Sequence, residues 1–261
     1  MYDFHTHTSF SDDCDVSMKD MVTSAINKGI TTLAITDHYD PGYPDPEFPF
    51  TIDFSDYQTA LENVSQLYKN QIKIIKGLEI GIMEGQFESA EKIINEYPYD
   101  FIIGSFHCLH KTDLYTFDFS NVDRPAMLKE FYEYVYSCLS AYKNYDVVGH
   151  FSIIDRYIGN PLDCTDSMPI IKESLKTIIN DGKGIEINTS NFKYGTNMWL
   201  PREEILKAYY ELGGEILTFG SDSHEPKHLL NHFDDAIELA KTIGFKYFCT
   251  FENRKPQFHK L

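Results

Sequence analysis

The chain opens with His5-Thr6-His7 and follows it with two carboxylates, Asp12 and Asp13. In an extended segment residues i and i+2 point the same way, so the two imidazoles would face one point in space. Neutral imidazole is a common ligand for a transition metal. A near mirror image, Ser221-Asp222-Ser223-His224, closes the last third of the chain. Between these stretches His38, Glu79, His107 and His150 each stand at the C-terminal end of a segment that reads as a strand. A lone histidine in such a place is more often an ordinary core or loop residue. Glu79 is different, because an unpaired carboxylate in an apolar strand is costly and must be paired, protonated or on a metal. Several independent strand–helix units all ending in a potential ligand point jointly to a metal centre. About nine such groups, counting either Asp12 or Asp13, exceed what one ion needs and suggest two or three ions sharing carboxylates. The mixed shell suits Zn²⁺, Mn²⁺ or Fe²⁺ without choosing among them. Clusters of this kind serve phosphate-ester hydrolysis, by lowering the pKa of a bound water and clamping phosphate oxygens.

The elements that position these groups alternate along the chain. A short strand over Tyr2–His5 precedes a helix signalled by the capping box Ser17-Met18-Lys19-Asp20. A β-branched strand, Thr31–Thr36, delivers Asp37-His38. Tyr39–Phe50, with four prolines, is a loop. Ser55-Asp56-Tyr57-Gln58 reads as a second capping box, and Lys73–Ile80 as the strand that carries Glu79. Tyr99–Phe106 is a nearly continuous apolar strand ending at His107, followed by a polar and aromatic connection over Cys108–Val122. A long helix after Pro125 shows one apolar face through Leu128, Phe131, Val135 and Leu139. Val147-Val148-Gly149 delivers His150. A helix near Pro169–Asn180, the strand Gly184–Asn188, a loop over Asn191–Leu200, a helix through Ile205 and Tyr209, and the strand Glu215–Gly220 follow. A last helix and the strand Lys246–Thr250 leave Glu252–Leu261 as a polar, frayed tail. About seven βα units with buried, apolar strands imply a parallel sheet covered by helices. Placement of every candidate ligand at or just after a strand C-terminus favours an α/β barrel.

The chain has 261 residues, ordinary for one such barrel, and a formal charge of −17. A surface of that sign repels phosphate backbones, so nucleic acid is not expected as a partner. Five scattered cysteines, with no Cys-x-x-Cys, argue against a disulfide framework and for the cytoplasm. No apolar run approaches the roughly 18 residues a membrane helix needs, and no signal peptide is expected. His110, His228, His232 and His259 are left as surface or supporting groups. The sequence leaves the oligomeric state open.

Taken in order, these motifs resemble those of the PHP (polymerase and histidinol phosphatase) superfamily. They are His5-Thr6-His7 with the following Ser-x-Asp, Thr36-Asp37-His38, Gly77-Leu78-Glu79, Gly104-Ser105-Phe106-His107, Gly149-His150 and Gly220-Ser221-Asp222-Ser223-His224. The resemblance implies a distorted, TIM-like (β/α)7 barrel with a trinuclear site, here a single domain over residues 1–261. It also implies one metal shell of His5, His7, Glu79 and Asp222 and a second of Glu79, His107 and His150. A third shell takes His38, His224 and an aspartate, placed at Asp13 by the Phe-Ser-x-Asp spacing. Glu79, Asp222 and His224 are the catalytic groups it implies, with His224 or a metal-bound water as alternative proton donors to the leaving group.

Within the superfamily the chain is most similar to the stand-alone histidinol-phosphate phosphatases. Gly149-His150-Phe151-Ser152-Ile153-Ile154-Asp155-Arg156-Tyr157 and Glu186-Ile187-Asn188-Thr189-Ser190 carry that likeness. Two basic side chains hold the phosphate in that group. Arg156 fits the first, and Lys193 stands where the second is normally arginine. The implied activity is a metal-dependent phosphomonoesterase that releases phosphate from L-histidinol phosphate in histidine biosynthesis. A nucleotide or another small phosphate monoester is the alternative substrate. Asp118 and Glu47 are candidates to face the substrate amine. A structural or sensory metal-binding barrel and a nuclease are the rival readings. The full ligand set speaks against the first, and the net charge against the second.

Overall fold

A computed structural model describes residues 1–159 and 162–261. The strands are β1 (Tyr2–Asp3), β2 (Thr32–Ile35), β3 (His38–Tyr39), β4 (Lys73–Gly81), β5 (Phe101–Ser105), β6 (Cys108–Leu109), β7 (Thr112–Asp113), β8 (Val147–Val148), β9 (Gly184–Asn188), β10 (Leu217–Gly220), β11 (Tyr247–Glu252) and β12 (Lys255–Lys260). The helices are α1 (Met18–Asn27), α2 (Phe54–Tyr68), α3 (Phe87–Glu96), α4 (Arg124–Ala141), α5 (Ile154–Tyr157), α6 (Met168–Asn180), α7 (Glu203–Glu211) and α8 (Phe233–Ile243). One parallel sheet runs β1-β2-β4-β5-β8-β9-β10, and β3 pairs with β4 beyond β2. Past β1 the chain meets the end of β10. Phe4 N donates to Phe219 O at 3.0 Å, Asp222 N to His5 O at 2.8 Å and His7 N to Ser223 O at 2.9 Å. The sheet therefore curls into the expected (β/α) barrel.

Strand periodicity divides the core in two. Leu33, Ile35, Ile74, Leu78, Ile102, Ile185 and Ile187 face outward onto the helices. Phe4, Ala34, Ile75, Phe101, Ile103 and Val147 fill the barrel interior. The inward parity of Ile75 continues through Gly77 to Glu79, and that of Ile103 through Ser105 to His107. The apolar interior thus gives way to polar groups toward the strand C-termini.

Two expectations need correction. The cap of α2 is Asp53, whose side chain accepts from Asp56 N at 3.0 Å, so the helix starts before the Ser55 box. Asp53 holds the same kind of acceptor two residues earlier and adds a charge that suits a helix N-terminus. The tail is not frayed, because β11 and β12 form an antiparallel hairpin across residues Tyr247–Lys260. Its two-residue turn, Asn253-Arg254, has φ of 51° and 62°. Those are the left-handed values that two-residue hairpin turns require. Arg254 Nε binds Asp146 Oδ2 at 2.5 Å and Asn253 N binds Asp100 Oδ1 at 3.0 Å, which pins the turn to the starts of β8 and β5. Cys249 and Phe251 then pack against the interior residues and plug the N-terminal end of the barrel. All five cysteines are unpaired and buried. Among the described residues no helix is long and apolar enough to cross a membrane.

Candidate metal centre

Most strands of the barrel deliver, at their C-terminal ends, one part of a cluster centred on Glu79, which is fully buried. His5 Nε2 lies 3.0 Å from Glu79 Oε2, His38 Nδ1 3.0 Å and His7 Nε2 3.4 Å. His150 Nε2 and His107 Nε2 reach the other oxygen, Oε1, at 2.9 and 3.3 Å. Asp222 Oδ1 lies 3.4 Å from His7 Nε2 and 3.5 Å from His224 Nδ1. Asp13 Oδ2 stands 3.1 Å from His224 Nε2 and 3.8 Å from His38 Nε2. Its neighbour Asp12 turns away and accepts from Phe50 N at 2.7 Å. His150 and Asp222 hold positive φ values of 22° and 52°. Such strain in non-glycine residues is typical of functional positions.

Four overlapping triplets place their ligand atoms within 4.8 Å of one another: His5/His7/Asp222, His5/Glu79/His150, His38/Glu79/His107 and His7/His38/His224. Five atoms that face the middle of this cluster, His5 Nε2, His7 Nε2, His38 Nδ1, Glu79 Oε2 and His224 Nε2, are buried with no hydrogen-bond partner. Buried polar atoms are rarely left unsatisfied. Imidazole nitrogens and carboxylate oxygens converging on shared points are the donor set that divalent ions take.

The electrostatics keep the cluster's carboxylates ionised. Burial works against the Glu79 carboxylate, yet His5, His38 and His107 outweigh it and hold the group well below its usual range. Burial likewise opposes the Asp222 anion, and Lys193 and His5 hold it low. His7 is also held well below the usual imidazole range, by burial and by the neighbouring His224 and His38, which keeps its ring neutral.

A second layer of carboxylates fixes the imidazoles. Glu186 Oε1 takes His5 Nδ1 at 2.7 Å, while its Oε2 accepts from His150 N and Asn188 Nδ2, both at 3.0 Å. Asp40 Oδ2 takes His107 Nδ1 at 2.5 Å. Each bond puts a proton on Nδ1, so that the neutral ring offers Nε2 to the cluster. Glycines make room for both carboxylates: a Cβ on Gly81 would meet Asp40 Cγ, and one on Gly220 would meet Glu186 Oε1 and His5 Cβ. Asp40 had no sequence signal beyond its nearness to His38, since its partner His107 lies 67 positions on.

The cluster floors a cavity of about 580 Å³. Arg156 and Lys193 both line it. Arg156 Nε donates to Asn191 Oδ1 at 2.9 Å and Nη2 to Ser190 Oγ at 2.5 Å, and its guanidinium lies over the Tyr194 ring. Lys193 Nζ donates to Asp222 O at 3.0 Å. Two fixed cations thus overhang the Asp222 edge of the cluster. Asp118 and Glu47 are absent from the lining, and Asp118 instead accepts from Ser120 N at 2.9 Å. Asp45, Asp113 and Glu225 are the acidic groups on the wall outside the cluster, and His228 joins them. His110, His232 and His259 stay away from the cavity.

Comparison with known proteins agrees with this architecture. The PHP domain model matches residues 3–190. The "Probable histidinol-phosphatase" of Clostridium acetobutylicum is 30% identical over 255 residues, covering 94% of this chain and 95% of that protein. The "Histidinol-phosphatase" of Lactococcus lactis is 28% identical over 268 residues, covering 99% and 97%. A crystal structure of histidinol phosphate phosphatase from Lactococcus lactis, complexed with zinc, L-histidinol and phosphate, superposes with a TM-score of 0.89 at 27% identity and covers 98% of each chain. With the family model spanning most of its length and its barrel shared with that structure, the chain belongs to the PHP domain family.

Proposed function

We propose that this chain is a metal-dependent phosphomonoesterase that hydrolyses L-histidinol phosphate to L-histidinol and phosphate. The observation that carries this reading is the juxtaposition of two charge types in one cavity. Unpartnered imidazole and carboxylate atoms gather around Glu79, and Arg156 and Lys193 sit beside them. The Lactococcus lactis structure, 27% identical, holds zinc, L-histidinol and phosphate on the same fold.

His5, His7, Asp13, His38, Glu79, His107, His150, Asp222 and His224 are the residues we assign to two or three divalent ions, Zn²⁺, Mn²⁺ or Fe²⁺. When bound, such ions supply a nucleophilic water at neutral pH and neutralise phosphoryl oxygens. Glu79 offers its two oxygens to different imidazole groups, so it would be able to serve more than one ion. Arg156, anchored by Asn191 and Ser190, orients the phosphate through a planar fork, and Lys193 adds a point charge. His224 directs Nδ1 at Asp222 O, 3.1 Å away, and Nε2 at Asp13, so as a ligand it has no nitrogen free for the leaving group. Its share in catalysis is then to hold an ion. The whole chain acts as one domain on a small phosphate ester. Its five unpaired cysteines fit a reducing compartment, the cytoplasm.

Phosphate release from L-histidinol phosphate, AMP and several sugar phosphates tests the reading. Preferential hydrolysis of L-histidinol phosphate supports it. Broad activity, or preference for another ester, keeps the phosphomonoesterase and removes the specific substrate.

A further inference from the structure

Asp37 is fully buried, does not line the cavity above the cluster, and lies next to His38. Three hydrogen bonds converge on its carboxylate: Thr8 N at 2.5 Å and Ser11 Oγ at 2.8 Å on Oδ1, and Thr8 Oγ1 at 2.8 Å on Oδ2. Ser11 Oγ has two further neighbours, His38 N at 3.0 Å and His7 Nδ1 at 3.0 Å. A hydroxyl has one proton and two lone pairs. The backbone N–H of His38 can only donate, and an ionised Asp37 can only accept. Ser11 therefore gives its proton to Asp37 and accepts from His38 N, so its remaining lone pair requires a proton on His7 Nδ1. His7 Nε2 is left bare, 3.4 Å from both Glu79 Oε2 and Asp222 Oδ1.

We infer that Asp37 acts through Ser11 as a positioning residue that sets the tautomer of His7 and holds its ring toward the cluster. The relay does for His7, through a hydroxyl, what Glu186 and Asp40 do directly for His5 and His107. Asp37 is itself tied to the strand that carries Glu79. Its N–H donates to Tyr57 Oη at 3.3 Å, and Tyr57 Oη donates to Gly77 O at 3.0 Å. The first and second motifs are thereby fixed to the third. The effect on ion binding rests on the metal-centre reading above, whereas the tautomer assignment does not.

Ring-nitrogen NMR of the metal-free wild type at pH 8 reads the tautomer directly, with a protonated His7 Nδ1 expected. A bare Nδ1 overturns the relay. Zn²⁺ or Mn²⁺ titration of Ser11→Ala and Asp37→Ala should show the tightest affinity weakened about tenfold or more, the usual cost of losing an outer partner of a ligand. The double variant should be no weaker than either single one, and Ser11→Thr should restore both the affinity and the Nδ1 proton. Wild-type affinity in Ser11→Ala, or additive losses in the double variant, overturns the relay. If Asp37→Ala does not fold, the Ser11 pair decides. If the wild type takes up no ion, the metal reading fails while the ring-nitrogen spectrum still decides the tautomer.

Discussion

Glu79 Oε1 lies 2.9 Å from His150 Nε2, although the two residues are 71 positions apart. Its other oxygen faces His5, His7 and His38. A single side chain thus joins both halves of the cluster. Glu79→Gln keeps the shape and removes the charge that faces these imidazoles. Turnover should fall at least about a thousandfold, about 4 kcal/mol of barrel-rim stabilisation of the transition state. Metal analysis of the purified variant should show at least one ion lost. Unchanged ion content together with wild-type turnover would remove Glu79 from the centre.

Arg156 and Lys193 differ in what they offer a phosphate. Arg156→Lys loses the planar fork and its hold on Asn191 and Ser190, so kcat/KM should drop about ten- to a hundredfold, or 1.4 to 2.8 kcal/mol. Lys193→Arg should be tolerated better, within about tenfold, because a point charge is replaced by a larger cation of the same sign. Steady-state kinetics on L-histidinol phosphate separate the two. Equal, negligible effects would place both cations outside the substrate site.

Asp3 supplies a pH test that does not involve the cavity. Burial, partly offset by the N–H groups of Ser221, Leu230 and His5, lifts its carboxyl from 3.8 to about 6. A folded-state pKa raised above the unfolded one means the folded state binds the proton more tightly. This group's contribution to stability therefore falls as pH rises from about 4 to about 6, by up to about 3 kcal/mol. Asp3→Asn cannot titrate, so the stability of the variant relative to wild type should climb across that window in urea unfolding. A difference that is flat between pH 4 and 7 would contradict the buried, ionisable Asp3.

Phe251 plugs the barrel floor against Phe4 and Phe101. Phe251→Ala should cost about 3 to 5 kcal/mol, the usual range for a buried phenylalanine. Denaturant unfolding reads this as a lower midpoint with little change in slope. A cost under about 1 kcal/mol would mean that the hairpin is not part of the cooperative core.

That hairpin also shows where the sequence misleads. Its first strand was legible, but Lys255–Lys260 looks like a polar tail because none of its side chains is buried, and only its pairing with Tyr247–Glu252 makes it a strand. Asn253, a residue that tolerates left-handed φ, marks the turn, but the run after it carries no strand pattern of its own. The barrel strands were legible because they are buried on both faces and read as apolar runs. The gathering of His5, His7, His38, Glu79, His107, His150, Asp222 and His224 was legible because each stands near or shortly after the C-terminal end of such a run. The choice between Asp12 and Asp13 needed coordinates, since neighbouring carboxylates in a loop have no fixed direction. Asp40 and Glu186 were illegible as partners of His107 and His5, being joined to them only by the closure of the barrel.

If the cluster around Glu79 holds the ions proposed, this chain needs them to cleave a phosphate ester. Phosphate release from L-histidinol phosphate should be measured after chelator treatment and again after Zn²⁺, Mn²⁺ or Fe²⁺ is restored, for the wild type and for Glu79→Ala. Activity should be lost on stripping and recovered with at least one of the ions in the wild type, with no recovery in Glu79→Ala. Full activity in the stripped protein, or no release with any ion restored, would contradict it.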